Sequence, residues 1–371
     1  MIDQLEDRAL GGCAVSQYEL GVAYAKGDGV DIDPYEAMQW FKRSAQQGNA
    51  GAQKQVALLY ERGVSGDLSA AIRWLTKCAS KEDPGVCADP DAQLQLALLF
   101  TRRNDLGDEE KARGWMEKAA INGNSQAQFL LAKAFQRDNK FNRYDREVFH
   151  WYQMAADQGH PEAIYEVGLL YEQGQCVGKN VRTALMMFWK AAEQGSISAY
   201  LQLGEMYITG VGAPKNDDLA FDCFSKAAEA GEARGQNGVG RVLYARGDYE
   251  EAFERFREAA EQGFANAQHN LAEMYEDGEG VEEDAEQAAM WFRRAAEQDS
   301  PDSQLKIGMM YQDGNGVPKN KAKAYQWLLL AQANGEPDAT SKVEEIERTL
   351  SLAERRRGQA AAHNFIRTPQ A

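Results

Sequence analysis

Four histidines, His150, His160, His269 and His363, are the first places to look for acid–base or metal chemistry. Two metal ligands on one helix face need a His-x-x-x-His step, and no pair of them has it. No Gly-x-Ser-x-Gly nucleophile turn, phosphate-binding Gly-Lys-Ser/Thr or dinucleotide fingerprint occurs. Gly-x-Gly loops do occur, as at Gly278-Glu279-Gly280. They lack the lysine that grips a phosphate and lie between two segments of helical period, so they read as turn formers. The acidic stretch from Glu276 to Glu286 invites a calcium site. It lacks the alternating carboxylates and terminal Glu of a calcium-binding loop, as do Asp28, Asp31 and Asp33, and a solvated acidic loop fits better. Cys176, in a loop at a Gly position, is a candidate reactive thiol, with nothing in the sequence to lower its pKa. No catalytic residue, metal ligand or cofactor site is assigned.

Charge narrows the partner. The chain has 371 residues, Lys+Arg 41 against Asp+Glu 57 and a net charge of −16. A general nucleic-acid binder needs a basic face to replace phosphate counterions, so nucleic acid and anionic lipid are excluded as partners. Arg355-Arg356-Arg357 is the one compact basic run, and a helix end complementing its dipole explains it. A basic or polar protein suits the balance. No run reaches the 18 to 20 apolar residues of a membrane helix, so no membrane insertion is expected. The opening residues Met1 to Arg8 carry three acids and no apolar stretch, and Leu10-Gly11-Gly12-Cys13 lacks the apolar segment a lipoprotein signal requires. The chain as written reads as cytoplasmic, or as periplasmic if a leader has been trimmed away.

Periodicity then accounts for most of the chain. An Ala-Ala-x-x-Gly-like segment recurs at Ser44-Ala45…Gly48, Ala119-Ala120…Gly123, Ala155-Ala156…Gly159, Ala191-Ala192…Gly195, Ala227-Ala228…Gly231, Ala259-Ala260…Gly263 and Ala295-Ala296…Asp299. Most steps are 36 residues, with one of 32 at Gly263. A second pattern, such as Leu20-Gly21-x-x-Tyr24, Leu203-Gly204-x-x-Tyr207 and Ile307-Gly308-x-x-Tyr311, follows each glycine by about ten residues. A third marker is aromatic, at Trp40, Trp74, Trp115, Trp151, Trp189, Phe224, Phe256, Trp291 and Trp327, which places all seven tryptophans in one slot. Ala52, Val56, Leu59 and Tyr60 form an apolar stripe of helical period, and Gly at the left-handed position ends each second helix. The small residue after Leu or Val lets a neighbouring backbone approach. One helix pair cannot bury both faces, so nine copies must stack.

These copies resemble the Sel1-like repeat family, relatives of the tetratricopeptide repeat. The interhelical loops Gly27-Asp28-Gly29-Val30, Gly210-Val211-Gly212-Ala213, Gly278-Glu279-Gly280-Val281 and Gly314-Asn315-Gly316-Val317-Pro318 support the resemblance. Copy seven departs from it, running Arg246-Gly247-Asp248-Tyr249 in place of the loop, and copies two and three also lack the loop. The resemblance implies an all-α, right-handed α/α superhelical solenoid of about nine helix-turn-helix repeats over residues 14–335. Residues 1–13 form an N-terminal capping helix, 336–356 a C-terminal capping helix, and 357–371 a flexible tail. Some secreted members staple each repeat with a cysteine pair. Here Cys78 and Cys87 are the one such candidate, either a disulfide or a core thiol beside a loop thiol.

Tetratricopeptide relatives bind partners on the concave face through positions one turn apart on the first helices. Two slots carry that geometry over. The first holds Tyr18, Lys54, Leu94, Phe129, Tyr165, Leu201, Asn237, His269 and Leu305; the second holds Val22, Leu58, Leu98, Lys133, Leu169, Glu205, Arg241, Glu273 and Met309. The site expected from them is Tyr18, Leu94, Phe129, Lys133, Tyr165, Leu201, Glu205, Asn237, Arg241, His269 and Glu273. The large apolar members divide between groove and core, while the polar members are expected at the surface. The expected function is a non-catalytic scaffold holding a protein or peptide, including an inhibitory, immunity-type partner of a basic protein. The alternative is a cell-wall or β-lactam hydrolase of the cysteine-rich branch, whose cysteine pairs and nucleophile–base spacing are missing here.

Overall fold

The computed structural model describes residues 2–61, 68–80, 89–137 and 145–367. Every regular element among the described residues is an α-helix. Helix α1 (Ile2–Leu10) is followed by nine pairs: α2 (Ala14–Lys26) and α3 (Pro34–Gln46), α4 (Ala50–Glu61) and α5 (Leu68–Ala79), α6 (Pro90–Arg103) and α7 (Asp108–Ile121), α8 (Ser125–Arg137) and α9 (Asp145–Asp157), α10 (Pro161–Gln173) and α11 (Val181–Glu193), α12 (Ile197–Thr209) and α13 (Asp217–Glu229), α14 (Ala233–Arg246) and α15 (Tyr249–Glu261), α16 (Ala265–Asp277) and α17 (Ala285–Ala296), α18 (Pro301–Asp313) and α19 (Lys321–Ala333). Helices α20 (Ala339–Glu347) and α21 (Leu352–Arg367) close the chain. The fold is an all-α repeat solenoid. It divides into two compact units, Met1–Asn180 and Val181–Ala371, each considered by itself.

Caps set the helix ends. Asp33, Asn216 and Asp284 each accept hydrogen bonds from two backbone N–H groups at the starts of α3, α13 and α17. Second helices stop where Gly takes φ near +90°, as at Gly48 and Gly195, and Asp299 holds the same left-handed turn at φ 61 without being glycine.

The aromatic slot needs correction. The position buried in almost every copy is one residue beyond the tryptophan: Phe41, Leu75, Tyr152, Phe188, Phe224, Phe256, Phe292 and Leu328 are each 2% exposed or less. Phe224 and Phe256 therefore belong to this inner slot, and Trp189 lies one position past it. The other six tryptophans hold the neighbouring position, where Trp40, Trp291 and Trp327 are buried too and Trp74, Trp115 and Trp151 are half-buried. There Arg43, Lys77, Lys118 and Arg294 lie over Trp40, Trp74, Trp115 and Trp291 at 4.5, 4.9, 4.2 and 4.5 Å. The small residue on the first helix admits this inner ring, not a backbone. A Cβ on Gly204 would lie 2.6 Å from the Phe224 ring, and one on Gly238 would lie 2.3 Å from it. One ring thus fills the space between α12 and α14, at the burial value of a full aromatic side chain, roughly 2–3 kcal/mol. Met116 fills its slot incompletely, and a cleft of about 460 Å³ opens beside it, lined by Phe100, Leu130, Leu131 and Phe135.

A buried glutamine ladder joins the copies. Gln17, Gln93, Gln128, Gln268 and Gln304 donate Nε2 to the carbonyls of Ala9, Ala79, Ala120, Ala260 and Ala296 at 3.0–3.1 Å. Their Oε1 atoms accept from the amides of Gln47, Asn122, Gln158, Gln298 and Asn334 at 2.7–3.0 Å. Each glutamine links the end of the preceding second helix to the end of its own, so these buried polar atoms are paired. The Gly-x-Gly loops also dock copies. A Cβ on Gly280 would meet the carbonyl oxygen of Tyr249 at 2.4 Å, and one on Gly316 that of Ala285 at 1.9 Å. Copy three, without the loop, turns at Asn104 (φ 54) and is held by Arg103 Nε and Nη2 donating to the buried Asp108 carboxylate at 2.7 and 2.6 Å.

The C-terminal tail also departs from expectation. The helix expected to run to Arg356 ends at Glu347, and the residues expected to be flexible from 357 onward are helical as far as Arg367. The cause is a capping box: Ser351 N–H donates to Glu354 Oε2 at 2.8 Å, and Glu354 N–H donates back to Ser351 Oγ at 3.3 Å. Helix α21 then packs on α19, with the Phe365 ring 5.5 Å from that of Trp327.

Candidate functional site

The residues singled out for chemistry have structural partners. No group of three or more His, Cys, Asp or Glu among the described residues is placed to hold a metal. His160 caps α10, its Nδ1 accepting from Ala163 N–H at 3.2 Å, its Nε2 2.8 Å from Gln126 Oε1 and its ring stacked 4.8 Å from Phe129. The Nδ1 acceptor role requires the Nε2–H tautomer, and burial holds this imidazole below its usual pKa. Burial, with the hydrogen bond to Asp145, pushes the Cys176 thiol up to about 12, the opposite of an activated nucleophile. In the acidic loop, Asp284 caps α17 and Glu276 pairs with Lys306 at 2.6 Å. Arg355 pairs with Glu347. The Cys78 side chain and Cys87 lie outside the described residues. No helix among the described residues is long and apolar enough to cross a membrane.

The two first-helix slots separate in space. The first slot is a joint between copies. A Cβ on Gly51, in the next copy, would lie 3.3 Å from the Tyr18 ring. Lys54 Nζ donates to Asp91 at 3.0 Å, joining α4 to α6. Leu94, Phe129 and Leu201 are 8%, 8% and 6% exposed and belong to the core. Asn237, expected at the surface, is buried because its Oδ1 accepts from Asn270 Nδ2 at 2.9 Å. His269 Nδ1 lies 2.8 Å from Ser303 Oγ. Tyr165 is half-buried. These residues sit near the start of each first helix, where Asp91, Asn270 and Ser303 of the next copy's first helix reach Lys54, Asn237 and His269.

The second slot lies one turn further on and is the more open of the two, with none of its residues buried. Leu98 and Lys133 are exposed, and Val22, Leu58, Leu169 and Met309 are half-buried. Glu205 and Arg241 pair across copies at 2.6 Å with more than a third of each side chain exposed. Glu273 accepts from His269 Nε2 at 3.4 Å, which holds its carboxyl below the usual range. The same face carries Glu166, Glu276 and Lys306, which sequence reasoning missed. The signal was available: each lies three residues from a second-slot position, the other step that shares a helix face. Burial raises the Glu166 carboxyl while the charge of Lys133 opposes the rise.

The Sel1 repeat profile matches residues 14–49, 50–83, 90–124, 149–160, 161–196, 197–232, 233–264, 265–300 and 301–335. Among solved structures, a protective antigen present in uropathogenic Escherichia coli strains is 26% identical, with 99% of this chain and 94% of that chain covered and a TM-score of 0.47. A Sel1 repeat protein from Oxalobacter formigenes is 27% identical over 93% of this chain and 90% of that one, with a TM-score of 0.48. An immunity protein from Pseudomonas aeruginosa is 20% identical over 67% and 83%, with a TM-score of 0.40. No curated protein matches. With nine registered copies of the repeat spread over most of its length, this chain belongs to the Sel1 repeat family.

Proposed function

We propose that the chain is a non-catalytic scaffold that holds a protein or peptide across the solvent-facing side of its first helices. The observation that carries this reading is the separation of the two slots. The first is partly spent on packing, with Leu94, Phe129, Leu201 and Asn237 buried, and the second, with no buried member, leaves a row of chemically different side chains on a repeating frame. A frame that repeats while its exposed residues vary is what extended recognition uses. In the N-terminal unit Lys133 would meet a partner, with Tyr18 and Tyr165 at the margin; in the C-terminal unit Glu205, Arg241 and Glu273 would do so, with His269 holding Glu273. Leu94, Phe129, Leu201 and Asn237 would support them from below. A basic partner, including one held in an inhibitory role, is favoured by the net charge of −16 and would use the carboxylates of the C-terminal unit.

Affinity capture from native-cell lysate with tagged protein tests this. The comparison is with a Lys133→Ala, Glu205→Ala, Glu273→Ala variant of unchanged melting temperature. One stoichiometric protein retained by the parent and lost by the variant is the expected result. A captured set that the variant leaves unaltered would place the binding face elsewhere.

A further inference from the structure

We infer that the cavity bounded by α13, α14 and α15 takes an indole ring from outside the chain, the tryptophan side chain of a protein partner. This site stands apart from the first-helix row and uses other residues. Its logic begins at the outer position of the second helix, one residue before the inner slot. Tryptophan holds that position in six copies. Trp74 packs on a cluster that includes Ala45 and Val56, Trp115 on one that includes Ala79 and Leu96, and Trp151 on one that includes Ala120 and Leu131. Each ring thus meets the end of the preceding second helix and the middle of its own copy's first helix. In copy seven the outer position is Arg255, and in copy six it is Cys223. The residues in register with those walls are Ala228 on α13 and Val239 on α14. They line a cavity of about 280 Å³, bounded on its third side by Glu251 and Arg255 of α15. The walls of a tryptophan seat are present and the tryptophan is not.

Size and charge select the occupant. An apolar cavity of about 150 Å³ holds benzene, and drug-sized ligands take about 300 Å³ or more. A volume of about 280 Å³ suits one bicyclic ring with its linking carbon. Phe221 supplies an aromatic wall. Arg255 is tied to Glu258 at 3.2 Å and to Glu251 at 3.7 Å, which holds a flat cation at the edge of the seat. Guanidinium groups stack on aromatic faces, and the same unit already makes this pairing, with Arg294 over Trp291 at 4.5 Å. The Arg255 side chain is 39% exposed, so the seat opens to solvent there. Glu251 and Glu229 also line the cavity. Each carboxylate accepts several donors, so one can take the single N–H of indole although both have a basic partner. A phenyl ring fills less of the space and offers no such donor. Tryptophan is also among the residues by which interfaces anchor in a pocket.

The probe is N-acetyl-5-fluorotryptophanamide, titrated against the full chain and followed by fluorine NMR. Its companions are the same compound methylated on the indole nitrogen, N-acetyl-4-fluorophenylalaninamide and free 5-fluoroindole. The expected result is binding of the probe at least fivefold tighter than each companion. Arg255→Trp should refill the seat from within and abolish binding, with a melting temperature equal to the parent's or higher. Arg255→Leu keeps the seat and removes the cation, and should weaken binding at least fivefold at an unchanged melting temperature. Binding that survives Arg255→Trp, or no binding by the probe, overturns the site. Should Arg255→Trp fail to fold, Arg255→Leu carries the test, and binding indifferent to it overturns the assignment. Equal binding of the methylated or phenyl companion overturns the choice of indole, and tighter binding of free fluoroindole overturns the protein source. The capture experiment judges the first-helix reading independently.

Discussion

The two units are built from the same helix pair, yet they fill it differently. In the C-terminal unit the inner slot of the second helix reads Phe188, Phe224, Phe256, Phe292 and Leu328, every one of them fully enclosed. In the N-terminal unit it reads Phe41, Leu75, Met116 and Tyr152, four side chains of four shapes, with a cleft of about 460 Å³ beside the methionine. The exposed row differs too. Leucines and Lys133 mark the N-terminal unit, whereas Glu205, Arg241, Glu276 and Lys306, engaged in ion pairs, and Glu273, bonded to His269, mark the C-terminal one. The backbone frame tolerates this drift because it depends on small helical residues and the buried glutamines, while slot identity sets only how completely the space is filled.

The largest expected effect breaks the well-filled unit. Phe224→Ala empties a ring held between two glycines and should cost about 3–5 kcal/mol, read as a lower urea midpoint. Next, Gln304→Ala removes both hydrogen bonds of one ladder step, leaving the Ala296 carbonyl with the Asp299 N–H alone and the exposed Asn334 amide to water, an expected loss of about 0.5–1.5 kcal/mol. The comparison sharpens with Met116→Phe, which puts a ring where the N-terminal unit lacks one. It should stabilise by about 0.5–2 kcal/mol in the same melt, and a loss would mean that the cleft is not fillable from that position.

Acid should act on the N-terminal unit through His160. Its imidazole titrates below the usual value in the folded state, so the unfolded chain takes up the proton first. Stability from this group is therefore present above about pH 6.5 and declines as pH falls through that value. Asn124 Oδ1 caps α8 by accepting from Ala127 N–H at 2.7 Å, so His160→Asn should keep a cap of that kind while that part of the pH slope vanishes; an unchanged slope would assign the sensitivity to other groups. The smallest effect is at the row. Lys133→Ala should alter stability by less than about 0.5 kcal/mol, because the side chain is exposed, and a larger loss would show that the row is part of the core.

Much of the architecture was readable beforehand. Glycine at recurrent positions, alanine pairs and helical apolar stripes repeat with a period that no local accident produces. The glutamine ladder was also available in Gln17, Gln93, Gln128, Gln268 and Gln304, yet a glutamine reads as a surface residue until its hydrogen-bond partners are seen. The Ser351-x-x-Glu354 capping box was present in the sequence of a tail that was expected to be flexible. The tryptophan slot was misregistered because adjacent aromatics on a helix lie about 100° apart, and linear spacing alone does not say which points inward.

The sequence by itself determined the repeat, the helix pair, its stops and the requirement that copies stack, because these depend on local backbone preference and on period. Only the tertiary structure decided which of two slots on one helix face is spent on the neighbouring copy. Both slots have the same period and similar residue types. Their difference arises at the start of each first helix, where Leu94, Phe129, Leu201 and Asn237 are buried in the packing between elements, while one turn beyond no slot residue is buried and Leu98 and Lys133 are exposed.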